Sequence, residues 1–188
     1  MLAHLRFGMS ATAQHNIEIS QKLFRWAIGY LHHHIPCDDD VALFGFSRVV
    51  NYAFACELLL KSHLARENGP SGGHKLKPLF EKLEGQTQND VSDIVKNRFP
   101  GKIYGTEDFD FDTMLKEQTY MFVEWRYPYD KNFTTPLRAQ RGHYGFLFIL
   151  GLALIKVYQT KYNERPDYNG KCPIPQLPKG VDVYYTIH

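Results

Sequence analysis

Apolar residues recur at helical intervals along most of this chain. Between Ala13 and His34, Ile17, Leu23, Phe24, Ala27, Ile28 and Leu31 share one face with no proline to interrupt them, and the spacing predicts a first long helix. His32, His33 and His34 then precede Pro36, and Asp38, Asp39 and Asp40 follow; cations suit a helix end and acids a helix start, so a tight helix-helix connection is expected there. From Val41 to Glu67, a stripe of Ala42, Phe46, Val49, Ala53, Cys56, Leu60 and Leu64 predicts the central helix. The NGPSGG stretch at 68–73 cannot continue it. His74 is expected to open a short amphipathic helix with Leu76, Leu79, Phe80 and Leu83 inward. Asn89 to Phe99 reads as a modest helix, and PGKIYGTE after it as a loop. Asp108 to Tyr127 is predicted helical, with Phe111, Leu115, Phe122 and Trp125 on one side, and a last helix is predicted from about Arg138 to Tyr162.

Strand-like alternation is confined to a few residues near Val181 to Tyr185, and no long-period repeat is visible. The expected fold is therefore all-α, an antiparallel bundle of four to six helices over residues 1–165. Pro166, Pro173, Pro175 and Pro178 predict an irregular tail at 166–188. At 188 residues with 44% hydrophobic and 22% charged composition, the chain is long enough for one domain with a core. Tyr144 to Ile155, the longest apolar run, is too short for a bilayer and reads as core, so no membrane association is expected. No signal peptide is evident at the N-terminus. Cys37, Cys56 and Cys172 fit neither a disulfide framework nor a zinc motif and are read as reduced thiols. Together these features point to the cytoplasm. A formal net charge of +2 is too balanced to hold a polyanion by bulk charge, so any such site must be local.

Three segments stand out in order: FACELLLKSHL at 54–64, GHKLKPLFEKL at 73–83 and VEWRYPYD at 123–130. Together, over roughly residues 41–163, they resemble the HEPN family. The family pattern is a Glu followed four residues later by Lys on a long helix, a His-x-Leu opening a short helix, and an Arg-Tyr-Pro closing a later one. Glu57 and Lys61, Gly73-His74-Lys75-Leu76, and Arg126-Tyr127-Pro128 match it here. The resemblance implies a helical bundle that commonly forms a homodimer. It also implies one of two activities. Members with Arg-Tyr-Pro bind a nucleotide or RNA, or act with a nucleotidyltransferase partner, in toxin-antitoxin or defence systems. Others are metal-independent ribonucleases marked by an Arg and, four to six residues on, a His.

Glu57 lies within Ala55-Cys56-Glu57-Leu58-Leu59, where an unpaired carboxylate would be costly. Lys61, one turn on, and Arg126, whose fork can grip a carboxylate, are its expected partners. The three are read either as an ion pair that fixes helix register or as part of a ligand site. His74 follows two glycines at an expected helix start, where backbone N–H groups could receive a phosphate, with Lys75 and Lys77 nearby. Capping and packing is the other reading of His74. Tyr127 and Tyr129, at a helix exit beside Arg126, could stack on a base. The binding set is thus His74, Lys75, Arg126 and Tyr127.

Arg138 and His143 enclose four residues at the start of the last helix and match the ribonuclease signature. In that alternative reading His143 moves a proton at the RNA 2′-oxygen or the leaving oxygen, and Arg138 stabilises charge on the phosphate, across a dimer interface. Arg25 and His32 also match, but their helix setting reads as surface or cap. The HHHIPCDDD stretch holds metal-ligand residue types without metal-site spacing, so neither a metal nor a cofactor is expected.

Overall fold

The computed structural model describes residues 10–31, 41–98, 102–103, 107–108, 110–120 and 140–163, with side chains at 10–31, 50–98, 110–119 and 145–163. Six α-helices form the bundle among these residues: α1 (Ala11–Leu31), α2 (Val41–Glu67), α3 (Leu76–Phe80), α4 (Gly85–Arg98), α5 (Phe111–Glu117) and α6 (Gln140–Tyr162). A 3-10 turn at Gln118–Tyr120 extends α5. The expected Pro-rich tail at 166–188 lies outside the described residues.

Local chemistry places the helix starts. The Ser10 hydroxyl accepts from the Ala13 N–H at 3.1 Å, so α1 begins two residues before its first predicted position. The expected loop at 100–107 instead contains a two-residue antiparallel pairing, β1 (Lys102–Ile103) with β2 (Glu107–Asp108), in register Lys102 to Asp108 and Ile103 to Glu107. Asp108 is thereby held in extended backbone and cannot start a helix. The start falls at Phe111, where the Asp110 carboxylate caps the Thr113 N–H at 2.9 Å.

α2 is the axis of the fold, packed along both α1 and α6, with α4 against α6 and α3 against α2. Helix α6 is apolar almost all round from Phe146 to Tyr158 because neighbours surround it. No helix among the described residues is long and apolar enough to cross a membrane. The Phe24 and Tyr158 rings stack with centroids 4.2 Å apart. Ser20 donates to the Ser62 carbonyl at 2.7 Å and so receives the Tyr158 O–H at 2.6 Å, which satisfies the polar ends of α1, α2 and α6 at one point. The buried Cys56 thiol donates to the Leu147 carbonyl at 3.1 Å, and burial pushes its pKa far up. Gly151 lets α6 approach α1 closely: a Cβ there would stand 3.0 Å from Leu31 Cδ2.

Candidate functional site

A charged cluster sits where α2 meets the loop before α3. Glu57 is 1% exposed, and its Oε1 accepts both the Lys61 ammonium at 2.7 Å and the His74 Nδ1–H at 3.0 Å. The i,i+4 spacing on one helix supplies the first contact. The second depends on the loop. Gly69 and Gly73 both take positive φ, +90° and +99°, which side-chain-bearing residues rarely adopt. Asn68 Nδ2 ties the loop to the Lys82 carbonyl at 3.1 Å, and Lys82 Nζ reaches Ser71 Oγ at 3.3 Å. The loop thus folds back over α2 and brings the imidazole down onto Glu57.

Two chemical consequences follow. Donation from Nδ1 to the carboxylate fixes the orientation of the His74 ring, which is mostly exposed. Glu57 Oε2, by contrast, is buried and has no hydrogen-bond partner among the described residues. A buried carboxylate oxygen in that condition calls for a donor.

The expected phosphate seat at a helix N-terminus is not what the structure forms. His74 precedes the helix instead of opening it, and α3 is a five-residue helix starting at Leu76. The Lys77 N–H at that end donates to Thr119 Oγ1 at 3.2 Å. The Lys77 ammonium meets both carboxylate oxygens of Asp112, at 2.5 and 2.6 Å, which raises its pKa and neutralises its charge. Lys75 is exposed immediately before α3. Among the described residues, what anion-binding capacity the start of α3 has therefore rests on the loop residues His74 and Lys75.

A second polar cluster joins the C-terminal end of α2 to α4 and α6. Lys161 Nζ contacts Glu67 Oε1 at 2.7 Å, Glu84 Oε2 at 2.7 Å and Thr87 Oγ1 at 2.8 Å. Glu67 also accepts from the Thr87 hydroxyl at 2.6 Å and the Glu84 N–H at 2.8 Å. Although burial opposes its charge, these donors hold the Glu67 carboxyl below its ordinary pKa, and the two acids raise that of Lys161. An open groove of about 600 Å³ lies beside it, between α4 and α6. Sequence reasoning missed this cluster, yet a signal existed: a Glu in the last turn of a helix opposes the helix dipole and needs a cation from elsewhere.

It also missed His63, which is fully buried. Its Nε2–H donates to the Leu154 carbonyl at 3.0 Å, and its ring stands edge-on to Tyr158 at 5.2 Å. Burial lowers its pKa to about 4, so the imidazole is neutral at ordinary pH.

Arg126, Tyr127, Tyr129 and Arg138 lie outside the described residues, as does the stretch 32–40 with its His and Asp runs. His143 falls in the first turn of α6, with its side chain outside the described set. The structure thus joins Glu57, Lys61 and His74 among the sequence candidates and leaves the other expected partners unplaced. No family model, curated protein or solved structure matches this chain.

Proposed function

We propose that this is a HEPN-like nucleotide-binding protein whose site is the Gly72–Lys75 loop held on Glu57. The supporting observation is the buried carboxylate that orients an exposed imidazole through Nδ1 and still has an oxygen lacking a donor among the described residues. Such a carboxylate fixes the ring, so His74 meets a ligand already oriented. Arg126 is the donor we assign to Glu57 Oε2, since a guanidinium satisfies a buried carboxylate through its fixed fork. That pairing would carry Tyr127 to the same mouth, where its ring can cover a base. His74 and Lys75 would hold the phosphates. In this reading the protein acts in a toxin-antitoxin or defence system, with a nucleotidyltransferase as its partner.

Calorimetric titration with ATP and GTP tests the reading, using wild type, His74→Ala and Arg126→Met. Wild-type protein should bind. His74→Ala should lose about tenfold or more in affinity, as expected for a charge-assisted contact, with only a modest fall in the unfolding midpoint because Lys61 stays on Glu57. Arg126→Met should lose both affinity and stability. Equal affinity in all three proteins refutes it.

A further inference from the structure

Most aromatic residues with described side chains are core. Two are not: Trp26 is 52% exposed and Tyr30 37%, and they are the only large hydrophobics among the described residues that stand out in this way. They lie one turn apart on α1 and therefore share a face. Neither is loose. The Tyr30 ring meets Phe54 of α2 edge-on at 4.8 Å, and Lys22 Nζ lies 4.9 Å from the Trp26 ring centroid. Between them Gly29 presents bare backbone, with nothing within 4 Å of where a Cβ would stand. The charged residues from 22 to 30 are Lys22 and Arg25, both cations, and there is no acid in the span.

This strip runs toward the loop site. Phe54, which braces Tyr30, precedes Glu57 by three residues and Lys61 by seven, so all three follow one side of α2 over about 10 Å. Helices α1 and α2 run antiparallel, as Tyr30 beside Phe54 and Ser20 beside Ser62 require. Trp26 is accordingly level with Glu57, and Lys22 lies toward the level of Lys61. Aromatic faces and flanking cations thus line one edge of α1, level along the bundle axis with the part of α2 on which the His74 loop rests.

We infer that this edge is a stacking platform for a single-stranded nucleic acid. Two unpaired bases lie on Trp26 and Tyr30, Lys22 and Arg25 meet the adjoining phosphates, and the strand continues to His74. Stacking of this kind tolerates any base, because every base has a π-face. The charge pattern favours this occupant over a second protein. Trp, Tyr and Arg are common at protein interfaces too, but Lys is depleted there, whereas here Lys22 lies against an exposed ring with no exposed large aliphatic beside it among the described residues. The inference rests on the nucleotide-binding reading and extends it from a single nucleotide to a strand.

The test is fluorescence anisotropy with labelled 12-nucleotide oligo-U and oligo-dT, alongside ATP calorimetry and sedimentation, on wild type, Trp26→Ala, Trp26→Phe and Lys22→Ala. Trp26→Ala should weaken oligonucleotide binding roughly tenfold and leave ATP affinity unchanged. Trp26→Phe should retain most of the affinity. Oligo-U and oligo-dT should behave alike if stacking dominates, and a preference for oligo-U assigns the strand to RNA. Equal oligonucleotide affinity in wild type and Trp26→Ala overturns the platform while leaving the loop site standing. So does failure of the wild type to bind either oligonucleotide when it binds ATP. A dimer lost in Trp26→Ala, with oligonucleotide affinity intact, gives the face to a second copy instead.

Discussion

Glu57 shows how a residue can be legible and its setting not. Its need for a cation follows from its aliphatic neighbours, and Lys61 follows from helical spacing. That His74 would be the other donor depends on Gly73 at φ +99°, a backbone turn that residue order alone does not specify. Lys61→Met removes the closest cation from a carboxylate 1% exposed, and since His74 remains, the expected loss is about 2 kcal/mol, below the full cost of orphaning a buried charge. Urea unfolding should show it, and the double variant Glu57→Leu/Lys61→Met should recover most of it; a double variant as unstable as the single would contradict the pairing. His63 makes a separate prediction. Its pKa falls from 6.5 to about 4 on folding, so between those values the unfolded chain binds the extra proton and stability declines as pH falls. About 2 kcal/mol should disappear between pH 7.5 and 5. In His63→Gln, which keeps a donor for the Leu154 carbonyl, that part of the slope should vanish. Glu67 adds an acid-side loss only from about its ordinary value of 4.5 downward, where the unfolded chain's carboxyl takes a proton that the depressed folded one still resists, so the two effects separate on a pH series.

Among the elements, those with strong punctuation were readable. The span of α2, Val41–Glu67, agrees with the expected one because NGPSGG supplies an unmistakable stop. α4 was expected at Asn89–Phe99 and begins instead at Gly85. Its buried face is Thr87, Val91 and Val95, and Thr87 is inward because its hydroxyl bonds Glu67, a partner from another helix that an apolar pattern cannot register. Lys161 is the residue that makes α2, α4 and α6 depend on one another. Lys161→Met should cost about 2 to 3 kcal/mol, as Glu67 loses its cation but keeps Thr87 and the Glu84 N–H. Amide exchange should rise most in α4, residues 85–98, and least in α1. Uniform acceleration would mean that the cluster does not hold α4 in place.

At the scale of the molecule, fold class was the most legible property, because helical periodicity continues through nearly every segment and a long chain of that kind has few ways to bury its stripes. The site was legible only in part: Glu57, Lys61 and His74 come together, while the assignments to Arg126, Tyr127, Arg138 and His143 depend on side chains outside the described set. A near-neutral protein, formally +2, could hold the proposed strand only by a few contacts. With about three phosphates engaged, log affinity for oligo-U should fall against log salt with a slope of about −2. A slope steeper than about −5 would demand a far larger basic surface than this edge provides. Cys56 carries one more consequence. Its sulfur is sealed between α2 and α6 and kept as a thiol by burial, so an alkylating reagent has no route to it while those helices stay together. With Cys37 and Cys172 replaced by Ser, the pace of its labelling in native buffer becomes a clock that ticks only when the bundle breathes open, and ligand that tightens the bundle should slow it.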